Sequence, residues 1–232
     1  MTHEDEQAHR CTARSAPGDD DAHALTGAKT LTSTRALPEA INHCRRCELW
    51  RSATQGVPGE GKSPSGLMLV GEAPGDSEDL KGHPFVGPAG AMLDRALEEA
   101  GMDRKSIYVT NAVKHFKFEP RGKRRLHVKP SAEEIQACHW WLEEELRLVA
   151  PKLVIALGAT AARALLGRVV TIAQTRGEAI PLNDTTHLWV TIHPSFLLRI
   201  PDEDKKRAEY ERFVKELTAA HRFVTHGTAH HK

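Results

Sequence analysis

From residue 67 to residue 220, short apolar runs alternate with stretches whose apolar residues recur at helical spacing. Residues 67–71, 107–113, 152–157 and 187–192 read as buried strands. Residues 89–100, 131–151, 159–166 and 204–220 read as helices. Gly101 closes the first of these helices, and Ser131-Ala-Glu-Glu134 opens the second as a capping box. Strands and helices in strict alternation predict a parallel sheet covered on both faces. The expected fold is therefore α/β, a three-layer α/β/α sandwich around a central four-stranded parallel sheet. Such sheets bind ligands beyond the carboxyl ends of their strands. That rule points to four loops, at residues 71–75, 111–127, 158–160 and 193–199.

The apolar runs are too short to span a bilayer, so no membrane partner is expected. The opening MTHEDEQAHR lacks the apolar core of a secretory signal, which predicts a cytoplasmic protein. Lys plus Arg against Asp plus Glu leaves a net charge of +1, so a polyanion site must be a local patch. Residues 1–35 have little apolar periodicity and are expected to form a disordered arm. Residues 36–220 form the predicted domain, and residues 221–232 a flexible tail. A monomer is expected.

Gly56-Val-Pro-Gly-Glu-Gly61-Lys62-Ser63 matches the phosphate-loop pattern letter for letter. Its chemistry needs a strand before the loop and a helix after it. Here Pro64, Gly66 and a strand follow, so the motif is rejected as a Gly-rich turn.

Of the four cysteines, Cys44 and Cys47 have the C-x-x-C spacing that lets two thiolates grip one centre. Cys138 is a third, and Cys11 lies in the expected arm. His115, after a predicted strand, is a candidate fourth ligand. A redox pair, buried thiols and a CCCH zinc site remain open alternatives.

Gly71-Glu-Ala-Pro-Gly75 and His193-Pro-Ser-Phe-Leu-Leu-Arg199 resemble the two signature loops of the uracil-DNA glycosylase superfamily. Pro84-Phe85-Val-Gly-Pro-Ala-Gly90 and Val109-Thr-Asn111 match as well, and the likeness covers about residues 36–220. The iron–sulfur families near family 4 are the nearest pattern. The resemblance implies a 4Fe–4S cluster held by Cys44, Cys47, His115 and Cys138. Where family 4 has a third cysteine, this chain has His115, and its stretch to Cys138 is longer, including Gly122-Lys-Arg-Arg-Leu-His127. Both features resemble the UdgX branch, whose members bind uracil in DNA, preferentially single-stranded, and become attached to the abasic sugar. That branch carries Gln where this chain has Ala73.

The resemblance gives each residue a chemistry. Gly71 and Ala73 would border the uracil. Phe85 would stack on the extruded base. Asn111 can accept from uracil N3–H and donate to O4, a pattern that cytosine reverses. His193 can donate to O2 as charge develops there. His127 could attack C1′ in place of water, with Glu72 orienting its ring and taking the second proton. Residues 114–129 carry seven Lys or Arg and one acid, a run suited to phosphate contact. Lys123, Arg124, Arg125, Ser195 and Arg199 are the expected DNA contacts. Three functions stay open at this point: a single-turnover glycosylase attached through His127, a turning-over family 4-type glycosylase, and a non-catalytic nucleic-acid-binding module.

Overall fold

A computed structural model describes residues 31–226. Residues 1–30 of the expected arm, and the end of the tail, residues 227–232, lie outside the described residues, while residues 31–35 are described and Leu31 packs against the core.

Eight helices are described: α1 Leu37–Asn42, α2 Asp76–Lys81, α3 Pro88–Glu99, α4 Ala132–Val149, α5 Ala159–Leu166, α6 Ile172–Thr175, α7 Pro194–Leu198 and α8 Glu203–His226. The strands are β1 Glu60–Gly61, β2 Leu67–Gly71, β3 Tyr108–Asn111, β4 Phe118–Arg121, β5 Arg124–His127, β6 Leu153–Leu157, β7 Ala179–Pro181 and β8 His187–Thr191. Six strands form one sheet in the order β1-β3-β2-β6-β8-β7. The central four are parallel, as the alternation predicts. Two short edge strands, β1 and β7, run antiparallel and make the sheet mixed. They are two and three residues long, too short to show a period in the sequence.

Period-2 alternation sends Met68 and Val70 to one face and Leu67 and Leu69 to the other. The first face packs on Leu37 and Ile41 of α1, Trp141 and Leu142 of α4, and Ala161 of α5. The second packs on Leu93 and Leu97 of α3 and on Phe213 and Leu217 of α8. These are the two outer layers of the three-layer sandwich.

Two boundaries differ from expectation. Helix α8 continues through residue 226 because Phe223 and Val224 still pack against the second core. Residues 118–127, expected as loop, form a β4–β5 hairpin with Phe118 opposite His127 and Arg121 opposite Arg124. Its two-residue turn has Gly122 at a φ of 58°, a backbone that glycine adopts without steric cost. The Gly56–Ser63 segment carries edge strand β1 and no helix follows Lys62, in keeping with its rejection as a phosphate loop.

Candidate active site

The parallel register puts Gly71 beside Asn111 at the carboxyl edge of the sheet. The loops after β2, β3, β6 and β8 open there into a cleft of about 940 Å³. Glu72, Ala73, Phe85, Asn111, His127, His193, Ser195 and Arg199 all line it. Sequence positions more than a hundred apart thus converge on one cavity.

Gly71 is the floor. A Cβ built on it would lie 2.3 Å from Asn111 Oδ1 and 2.5 Å from Phe85 Cζ. The carboxamide and the aromatic ring therefore meet directly over a backbone that has no side chain. Phe85 adopts a φ of 57°, an uncommon backbone for a bulky residue. Its ring centroid lies 5.9 Å from that of His193. Asn111 is anchored through its main chain, whose carbonyl accepts from Lys114 Nζ at 2.6 Å. Lys114 in turn pairs with Glu145 at 2.6 Å, and both side chains are wholly buried. The basic run is corrected at this residue, because Lys114 is a core cation rather than a phosphate contact.

His193 is fixed in one tautomer. The Ser195 backbone N–H donates to its Nδ1 at 3.2 Å. An amide N–H is always a donor, so Nδ1 is the acceptor and the ring proton sits on Nε2. Burial, with Arg199 and His127 nearby, lowers the His193 pKa to about 4. The ring is a neutral Nε2–H donor at neutral pH. The Ser195 N–H serves His193 and the Phe196 N–H bonds the His193 carbonyl, so these two amides are engaged within the site. Ser195 Oγ lies 2.8 Å from His193 Nδ1 and accepts from Arg199 Nη1 at 3.3 Å.

His127 ends β5 with Nε2 3.7 Å from Glu72 Oε1. Burial pushes its pKa below the usual imidazole range, Glu72 opposes that shift, and Arg199 reinforces it. The other Glu72 oxygen accepts from Thr160 Oγ1, which fixes the carboxylate. Thr160 falls in the 158–160 loop singled out from the sequence, but nothing there marks its hydroxyl as the partner of Glu72.

Alternation along β5 separates Arg124 from Arg125. Arg125 points inward with His127. Its Nε donates to Asp76 and its Nη1 to Asp79, each at 2.6 Å. Arg125 also lies over the Phe116 and Phe118 rings. Two carboxylates hold it as a brace of the hairpin where the sequence reading expects a phosphate contact. Lys123 and Arg124 are exposed.

Glu78 and Asp79 are functional positions that sequence reasoning missed. Glu78 accepts from the Gly75 and Gly87 N–H groups at 3.1 and 2.8 Å. It ties the Glu72 loop to the Phe85 loop. A Gly-x-x-Glu spacing at the start of a helix was its available signal.

Burial first, with Cys44 adding to it, raises the Cys47 pKa, and burial first, with Cys44 and Cys47 adding to it, raises that of Cys138 to about 12, so the three sulfurs lie close together. Trp141 Nε1–H donates to Cys44 Sγ at 3.1 Å, and the Lys114 N–H to Cys138 Sγ at 3.2 Å. His115 is buried and borders a smaller cavity with Arg45. Burial first, then Arg45, lowers its pKa to about 4. Among the described residues, no group of three or more His, Cys, Asp or Glu side chains is arranged to hold a single metal ion.

A family model described as the uracil DNA glycosylase superfamily matches residues 58–218. A type-4 uracil-DNA glycosylase of Pyrobaculum aerophilum is 37% identical over 71% of this chain and 84% of its own length. One from Thermotoga maritima is 35% identical over 77% of this chain and 90% of its own. A type-5 uracil-DNA glycosylase of Thermus thermophilus is 31% identical over 72% and 84% respectively. The chain belongs to the uracil-DNA glycosylase superfamily. Among the described residues, no helix is long and apolar enough to cross a membrane.

Proposed function

We propose that this protein excises uracil from DNA as a uracil-DNA glycosylase, preferring single strands. One observation carries the reading: His193 is held as a neutral Nε2–H donor in the cleft where Asn111 and Phe85 meet over Gly71. The names of the type-4 relatives support it.

Extrusion of the nucleotide costs a few kcal/mol, offset by stacking on Phe85 and by the Asn111 pairing. As N1–C1′ breaks, its electron pair leaves with uracil and gathers on O2. The His193 Nε2–H, already oriented, stabilises that charge without reorganisation. The sugar cation is then captured. In the type-4 reading a water attacks C1′ and gives its proton to the Glu72 carboxylate.

The position of His127 favours a second reading. It lines the cleft, faces Glu72 at 3.7 Å and is biased to the neutral form. One ring nitrogen attacks C1′ while the proton on the other passes to Glu72. Catalytic hydrogen bonds are often this long before substrate binds. The product is a neutral alkyl-imidazole, a poor leaving group, so the enzyme stops after one turnover. This UdgX-like reading rests on that geometry and on the sequence resemblance, whereas the comparisons favour turnover.

Cys44, Cys47 and Cys138, with His115 as fourth ligand, are the residues that would hold a 4Fe–4S cluster. The N–H groups aimed at Cys44 and Cys138 sulfur fit such a site. When bound, the cluster supplies a structural tie between the Cys44 turn, the end of β3 and α4. Protein purified without oxygen should be brown, and His115→Cys should stay so. Colourless protein containing stoichiometric zinc refutes the cluster.

A denaturing gel after mixing with uracil-containing single-stranded DNA tests the whole reading. Abasic product identifies turnover, and a protein–DNA band lost in His127→Ser identifies attachment. Neither outcome leaves a non-catalytic binding module and refutes the proposal.

A further inference from the structure

Resting on the nucleic-acid reading above, we propose a second contact on this chain: a phosphodiester subsite formed by Arg45, Trp50 and Arg51, which takes the strand flanking the target nucleotide. Trp50 is partly exposed. The Arg45 guanidinium lies 4.0 Å from its ring centroid and that of Arg51 4.8 Å away. Stacking on one ring restrains two long side chains before any ligand arrives, which lowers the ordering cost of binding. Arg45 is restrained further, since its Nη1 donates to the carbonyls of Asn42 and Cys44 at 3.0 and 2.8 Å. Arg51 pairs through Nε with Glu48, with 63% and 78% of the two side chains exposed. So exposed a pair contributes little, and a phosphate can replace the carboxylate.

The location decides the ligand. Beside Trp50 lies a cavity of about 420 Å³ lined by Asn42, Arg45, Thr54, Gln55 and His115. One side chain joins it to the catalytic cleft. Arg125 bonds Asp76, which lines the cleft, and its Nη1 donates at 3.3 Å to Thr54 Oγ1, which lines the cavity. The cleft and the cavity beside Trp50 are thus linked through one hairpin residue, Arg125. Of the two acids on that route, Asp79 is wholly buried and Asp76 half-exposed, and Arg125 pairs with both, offsetting one of their two charges. Restrained cations beside an aromatic ring are the recurring elements of single-strand grooves.

Length dependence tests the proposal. Uracil oligonucleotides of about four and about twelve nucleotides are compared under single-turnover conditions. Wild-type protein should bind the longer one at least about ten-fold tighter. Trp50→Ala and the charge reversal Arg51→Glu should remove most of that gain and flatten the salt dependence by roughly one unit of slope per lost phosphate contact. The excision rate at saturation, and processing of the short oligonucleotide, should not change. Arg51 is mostly in water, so its reversal leaves the fold intact, and a thermal melt verifies this for both variants. Folded variants that keep the length advantage and the salt slope overturn the subsite. Failure of wild-type protein to process either oligonucleotide overturns the functional reading instead.

Discussion

Replacing Arg125 by Ala removes the cation from a carboxylate that water cannot reach. Asp79 is wholly buried, and after truncation it keeps the Thr54 N–H at 2.9 Å but loses its 2.6 Å bond to Nη1. A hydrogen bond to a charged partner contributes roughly 1.5–3 kcal/mol. The half-exposed Asp76 pair adds less than about 1 kcal/mol. Packing over Phe116 and Phe118 adds about 0.5–1 kcal/mol. The expected loss is about 2–5 kcal/mol, which for a chain of this size lowers Tm by roughly 4–20 °C. Arg124, on the outer face of the same strand, provides the control. Arg124→Ala should stay within about 0.5 kcal/mol of wild type yet weaken binding to all DNA sequences. Thermal melts and salt-dependent binding isotherms of both variants decide the matter. An Arg125→Ala protein as stable as wild type, with a flattened salt dependence, would refute the brace and restore Arg125 as a phosphate contact.

Three further outcomes follow from the same geometry. Excision should be flat from about pH 8 to pH 5 and fall as His193 gains its proton near pH 4, where the Ser195 N–H loses its acceptor. Unfolded histidine takes that proton near 6.5. The His193 contribution to stability is therefore complete above pH 6.5 and lost as pH falls toward 4, so His193→Gln should show a shallower acid loss in denaturant titrations. Gly71→Ala should abolish uracil recognition while sparing binding to undamaged DNA, at a stability cost of about 1–3 kcal/mol, because its Cβ falls on Asn111 and Phe85. Lys114→Met should cost about 3–5 kcal/mol by stranding buried Glu145, and adding Glu145→Gln should recover part of it in a thermal melt.

The central sheet was legible because its strands are continuous apolar runs, buried on both faces, that end where helical spacing begins. The cleft residues were legible because their loops carry motifs. The hairpin was not, since Arg-Arg-Leu-His offers no apolar alternation and its inner face holds Arg125 and His127, charged or polar groups that pair with acids. Treating that stretch as loop placed neighbouring arginines on one surface, whereas a strand divides them. Lys114 was miscounted for a related reason: a buried cation looks like a solvated one until Glu145, 31 residues away, is brought beside it. Asp79 was silent, and the pairing of Thr160 with Glu72 was unreadable, because each acts through a partner distant in sequence.

His127 lies at the root of the hairpin, opposite Phe118, and not at its tip. The Gly122 turn is at the far end, with nothing within 4 Å of where a Cβ would stand. The insertion therefore divides its labour along its own length. Its outer end, with Arg121, Lys123 and Arg124, can be lengthened, shortened or recharged while the His127 imidazole stays registered to Glu72. On the proposed function, grip on the polymer and aim at the sugar would thereby be separate traits of one ten-residue ribbon from 118 to 127.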